Sequence, residues 1–171
     1  MMTARTLLSA AALTALLAGA SGAQAANGWQ MVASGCVPTP GSAKLITVGT
    51  KSGAVSFKDT KTGSASLICP VNYEFTGTNV LDQLEVQAVD ASVNGSVRAT
   101  LVRKSKTTGA IEVLGTVTSA DATGVQNTLT SFTPASINFF THGAYVVLQL
   151  SRTDPTADVQ AHMVYLSRFI P

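Results

Sequence analysis

Ser64-Ala65-Ser66-Leu67-Ile68-Cys69-Pro70-Val71 holds one of the two cysteines of the chain inside an alternating apolar pattern. As a β-strand it puts Ala65, Leu67, Cys69 and Val71 on one face and Ser64 and Ser66 on the other, because successive side chains point to opposite sides. Cys69 then points inward. The only other cysteine is Cys36, in Gly35-Cys36-Val37-Pro38. Joining the two would close a loop whose entropy is worth roughly 3–4 kcal/mol. Two buried thiols or a two-thiolate metal site are the alternatives, and an oxidising compartment favours the disulfide. Pro70 cannot donate to a sheet ladder, which predicts that pairing ends near it.

The compartment is read at the start of the chain. Arg5 precedes an apolar run from Leu7 to Ala18, and small residues follow, ending Ala23-Gln24-Ala25. That is the three-part layout of a secretory signal peptide with an A-x-A cleavage site. The run from Thr6 to Ala20 falls short of the ~20 apolar residues of a spanning helix. The expectation is a cleaved leader over 1–25 and one domain over 26–171. The mature chain has no further membrane span in its sequence and no cysteine beside the cleavage site to carry a lipid. Periplasm, cell surface and extracellular medium all fit such a bacterial-type leader.

Composition narrows the partners. The chain carries 11 Lys and Arg against 9 Asp and Glu, and loss of Arg5 with the leader leaves it closer still to neutral. So small a net charge offers no long-range field for nucleic acid. Charged residues make up 12% of the chain, well below the usual share, so Ser, Thr, Gly, Asn and Gln must cover the surface.

From Asn27 onward the apolar residues alternate in short runs broken by Gly, Asn, Asp, Ser and Pro. Lys44–Val48 and Ala54–Lys58 read as short strands, with a turn at Gly77 after the cysteine strand. Leu84, Val86 and Ala88 oppose Gln83, Glu85 and Gln87; Val93, Val97, Ala99 and Leu101 oppose Arg98 and Thr100; Ile111, Val113 and Val117 oppose Glu112, Thr116 and Thr118. One apolar and one wet face mark antiparallel sheets. A weaker strand over Thr128–Thr133 is expected to stop at Pro134. Val146, Leu148 and Leu150 face inward on the next strand, and Val159–Phe169 forms the last. About ten such strands at roughly ten-residue spacing predict an all-β, two-sheet antiparallel β-sandwich of jelly-roll type with one disulfide.

The arrangement Trp29…Cys36-Val37-Pro38…Leu67-Ile68-Cys69-Pro70-Val71, a late Tyr145–Arg152 strand and a closing Val-Tyr-Leu resemble a loose group of small exported bacterial β-sandwich proteins. They also resemble the jelly-roll domains of phage and bacterial appendages. The resemblance implies the sandwich and no particular activity.

Catalytic patterns are weak. His142 and His162 lack a G-x-S-x-G nucleophile turn, and Glu74, Glu85 and Glu112 lack the aromatic cleft of a glycosidase. Asp154 and Asp158 read as a turn before they read as a Ca²⁺ site. No cofactor and no metal are expected. The candidate ligand or partner contacts are Trp29, Phe139, Phe140 and Tyr145, with Arg103 and Lys104 from a basic hairpin. Phe139 and Phe140 are adjacent, so on a strand only one of them faces the core. The sequence supports an exported, non-enzymatic module that binds a glycan or cell-surface polymer. The alternative is an appendage subunit whose partner is itself.

Overall fold

The computed structural model describes residues 28–72 and 80–168; the expected leader and the turn at Gly77 lie outside them. In chain order the strands are β1 (Trp29–Val32), β2 (Val37–Pro38), β3 (Ile46–Val48), β4 (Val55–Phe57), β5 (Gly63–Val71) and β6 (Val80–Asp90). They continue as β7 (Gly95–Ser105), β8 (Ile111–Thr118), β9 (Ala122–Ser136), β10 (His142–Arg152) and β11 (Val159–Ser167). One sheet has the order β3-β4-β11-β6-β9, with β1 also on β11, and the other the order β2-β5-β10-β7-β8. All the pairings are antiparallel, and the molecule is a jelly-roll sandwich.

The alternation predicted for the cysteine strand is what builds the core. Ala65, Leu67, Cys69 and Val71 of β5, Val97, Ala99 and Leu101 of β7, and Val146, Leu148 and Leu150 of β10 are buried. They meet Leu84, Val86 and Ala88 of β6 and Val164 and Leu166 of β11 in one cluster. Cys36 is bonded to Cys69 with 4.3 Å between the Cα atoms. The register explains the pairing: Val37 lies opposite Ile68, so Cys36 falls opposite Cys69 at the next step of an antiparallel ladder.

Pairing of β5 ends at Val71, one residue past Pro70, as expected; Pro70 lies opposite Tyr145 where β2 no longer pairs and β5 is an edge. Three expectations change. β9 runs through Pro134, where the register against β6 slips between Leu81 and Gln83 and the missing N–H is tolerated. Val93 sits in the turn before β7 and is exposed. Ile111 and Val113, expected inside with Val117, are exposed on the outer face. A register shift on β7 and β8 moves the pairing from Leu101–Gly115 to Val102–Val113, so Leu114 is an extra residue. One inserted residue turns every side chain beyond it to the other face of the sheet.

At one end of the sandwich Arg152 is only 6% exposed. Its Nε donates to the Lys61 carbonyl at 2.8 Å, its Nη2 to the carbonyls of Lys58 and Asp59 at 2.8 Å each and also to that of Lys61, and its Nη1 to Ala157 at 3.4 Å. The guanidinium also stacks 4.9 Å from the centre of the Phe57 ring. One side chain thus fastens the β4–β5 and β10–β11 loops.

The second of these loops is a turn, as expected. Asp154 Oδ1 accepts from the backbone N–H and the hydroxyl of Thr156, both at 2.8 Å. The Thr156 N–H, then its hydroxyl and the charge of Arg152, hold the Asp154 carboxyl below the ordinary aspartate range. A carboxyl so depressed adds stability above the ordinary aspartate pKa and loses it as pH falls through its own. Thr156→Val is therefore expected to raise the Asp154 midpoint, followed by NMR, partway towards a free aspartate. An unchanged midpoint would show that the hydroxyl contributes nothing.

Candidate functional site

The outer face of the five-stranded sheet carries the best-formed candidate. Alternation puts the core residues Leu101 and Val146 inward, so Val102, Lys104, Gly143, Tyr145 and Val147 point away from the core. The register then sets them side by side: Tyr145 lies between Pro70 and Val102, and Gly143 lies opposite Lys104. Val113 and Ile111 extend the same two rows on β8. Val37, Ile111 and Val113 are exposed at the flanks of this face, while Val102 is buried within it.

Lys104, Ser105, Lys106, Gly109, Gly143, Ala144 and Tyr145 enclose a recess of about 500 Å³. Gly143 makes the recess possible, since a Cβ built there meets no heavy atom within 4 Å. Any larger residue would stand in the open space. The hairpin wall is held from behind. Lys106 N–H donates to the Thr141 carbonyl at 2.8 Å, and Lys106 Nζ donates to the Phe139 carbonyl at 2.5 Å.

The loop thus tied down, 137–141, decides the fate of the two phenylalanines. Asn138 Oδ1 accepts the Phe140 N–H at 2.9 Å, and the Asn138 carbonyl accepts those of Thr141 and His142 at 3.1 and 2.8 Å. This tight turn packs Phe139 against the core and leaves Phe140 82% exposed. Phe140 lies three positions before Gly143, on the loop fastened to the hairpin wall.

The structure separates the six candidate contacts. Tyr145 and Lys104 share the recess. Arg103 is directed the other way, binding Glu112 at 2.5 Å and donating to the Ser136 carbonyl at 2.8 Å. Its charge is spent on tying β7 to β8 and β9. Trp29 is buried, and its indole N–H donates to Asn72 Oδ1 at 3.1 Å, so it serves as a core anchor. Gly143, Ile111 and Val113 were not singled out from sequence. The Gly115 inside a strand pattern was the available signal, since such a glycine marks a bulge or a close approach. A Cβ on Gly115 would come within 2.7 Å of the Phe132 ring.

The other features offer less. A recess of about 570 Å³ borders Arg152, Asp59 and Asp158, but the Arg152 donors are engaged by carbonyls and Asp158 accepts from Gln160 at 2.8 Å. Among the described residues no three of His, Cys, Asp and Glu are grouped to hold a metal ion. His142 Nδ1 meets the Thr141 hydroxyl at 2.9 Å. No helix among the described residues is long and apolar enough to cross a membrane.

No protein-family model matches the chain, and no curated protein matches its sequence. Solved structures match its fold. One is the C-terminal family 6 carbohydrate-binding module of LamC, a laminarinase of Zobellia galactanivorans, with TM-score 0.54 and 11% identity over 82% of this chain and 99% of that one. Another is a family 6 carbohydrate-binding module studied for its binding sub-sites, with TM-score 0.50 and 11% identity over 82% of this chain and 94% of that one. At such identity the likeness lies in the sandwich.

Proposed function

We propose that this chain is an exported, non-catalytic carbohydrate-binding module that lays a polysaccharide across the outer face of its five-stranded sheet. One observation carries the reading: the recess floored by Gly143, with Tyr145 and Lys104 on its walls. A sugar ring presents C–H faces that pack on an aromatic ring, and hydroxyls that need hydrogen-bond partners at the rim. Tyr145 supplies the ring, and Ser105 and Lys104 supply the polar rim. Phe140 offers a second aromatic surface at the same end. The leader-like pattern of the sequence over 1–25 and the Cys36–Cys69 bridge support export, and the fold shared with carbohydrate-binding modules supports the ligand class. The domain proposed for this role spans 26–171.

Native gels containing a soluble β-glucan, a xylan or alginate test the proposal. Retarded migration of the wild-type chain in at least one of them is expected. Tyr145→Ala should weaken that binding by about 2 kcal/mol, or about 30-fold. Gly143→Phe should abolish it by filling the recess, while Thr47→Ala, on the other sheet, should leave it unchanged. Undiminished binding by Gly143→Phe would remove the recess from the account. Failure to bind all three polymers would contradict the proposal for those ligand types.

A further inference from the structure

Among the described residues five strands pair on one side only, and four of them are blunted. β1 has four residues, β3 three and β2 two. β8 has eight, carries Glu112 and is broken by the shift at Leu114. Short length, charge and bulges are the devices by which sheets avoid pairing with one another. β9 uses them least. It runs for 15 residues, Ala122–Ser136, without one charged side chain. It pairs with β6 on one side only, in unbroken register from Val125 to Ser131. Among the described residues no backbone hydrogen bond fills its other side over that stretch. Beside this open edge, on the outer face, Val125 is 55% exposed and Leu129 50%.

We propose that the β9 edge is a homodimer interface, in which a second copy of this chain adds its own β9 antiparallel about a two-fold axis through Asn127. The spacing of the two exposed apolar residues points to this register. A two-fold at 127 sets Val125 opposite Leu129 of the second copy and Leu129 opposite its Val125, one apolar pair on each side of the axis. The axis also keeps edge-facing backbone groups opposite edge-facing groups, because residues paired across it differ by an even number. Overlap of 125–129, the part of the strand in regular register on both sides of the axis, would make about four to six inter-chain hydrogen bonds, the low end of the 10 ± 5 or so of a typical specific interface. With no charge on either strand, self-pairing meets no like-charge repulsion. The inference is independent of the carbohydrate reading, which uses the other sheet.

Sedimentation velocity on the oxidised exported chain over a concentration series, with no polysaccharide present, tests it. The wild type is expected to dimerise. Leu129→Lys, at a half-exposed position outside the core, should weaken the dimer roughly tenfold or more. Val125→Glu combined with Leu129→Lys should restore it, because this register alone puts each new carboxylate opposite a new lysine of the other copy. Asn127→Cys gives a measurement that does not depend on folding of the lysine variant. On oxidation it should form a covalent dimer, since the axis brings the two residues 127 within disulfide reach. A wild type monomeric throughout would overturn the proposal. So would a dimer indifferent to Leu129→Lys, a double variant that stays monomeric, or an Asn127→Cys chain that does not cross-link.

Discussion

Arg152→Met is expected to lower the unfolding free energy by about 4 kcal/mol, read as a fall in the urea midpoint at unchanged slope. The substitution keeps the aliphatic stem and removes the guanidinium. The carbonyls of Lys58, Asp59, Lys61 and Ala157 then lose their donor together. The Ala157 carbonyl is a buried acceptor, which costs about 1–3 kcal/mol when stripped of its partner. Those of Lys58, Asp59 and Lys61 are part-buried and each lose about 1 kcal/mol or less, since water reaches them. The stacking on Phe57 is lost as well, a contact worth about 0.5–2 kcal/mol. Release of a buried charge offsets part of the sum, which is why the expectation stays below the simple total. Arg152→Lys should recover less than half, since an ammonium is a compact point charge without the planar fork. A loss under about 1 kcal/mol for the methionine variant would mean that water replaces the guanidinium and that the two loops do not depend on it.

Removing the disulfide as Cys36→Ala with Cys69→Ala is expected to cost roughly 3–4 kcal/mol, or about 10 °C in melting temperature. The two cysteines are 33 positions apart, and the bridge restrains a stretch held mainly by short elements. β2 has two residues, and β3 and β4 have three each, so the local ladders are small. Hydrogen exchange should therefore show the first loss of protection at Thr39, whose N–H donates to the Ser66 carbonyl at 2.9 Å. The paired centre of β10 should be the last to open. Equal melting temperatures for the bridged and alanine forms would contradict the ordering of this stretch by the bridge.

The sandwich was legible because its core strands alternate cleanly. Leu84, Val86 and Ala88, or Val146, Leu148 and Leu150, have no other way to bury three apolar side chains at once. The cysteine pairing followed from there being two cysteines and an oxidising context. What sequence reading missed depends on partners distant in the chain. Ile111 and Val113 fit the inward pattern of Val117, and only the ladder with β7 reveals that Leu114 inserts a residue. Arg152 reads as a loop-bordering cation, and its burial follows from carbonyls about ninety positions earlier. Trp29 shows the converse: its ring is consumed by the core and by Asn72, a distant residue across the fold. Of the recess, Tyr145 and Lys104 were visible as chemistry-bearing residues. Gly143 was not, because its contribution is an absent side chain in a place defined by the neighbouring hairpin.

The most direct test of the carbohydrate reading is an amide-resolved NMR titration of the oxidised chain with a short oligosaccharide cut from whichever polymer retards it. The account predicts saturable shifts centred on Lys104, Ser105, Gly143 and Tyr145, absent from Gly143→Phe. Shifts centred instead on Asp59, Thr156 and Gln160, around the other recess, would contradict it.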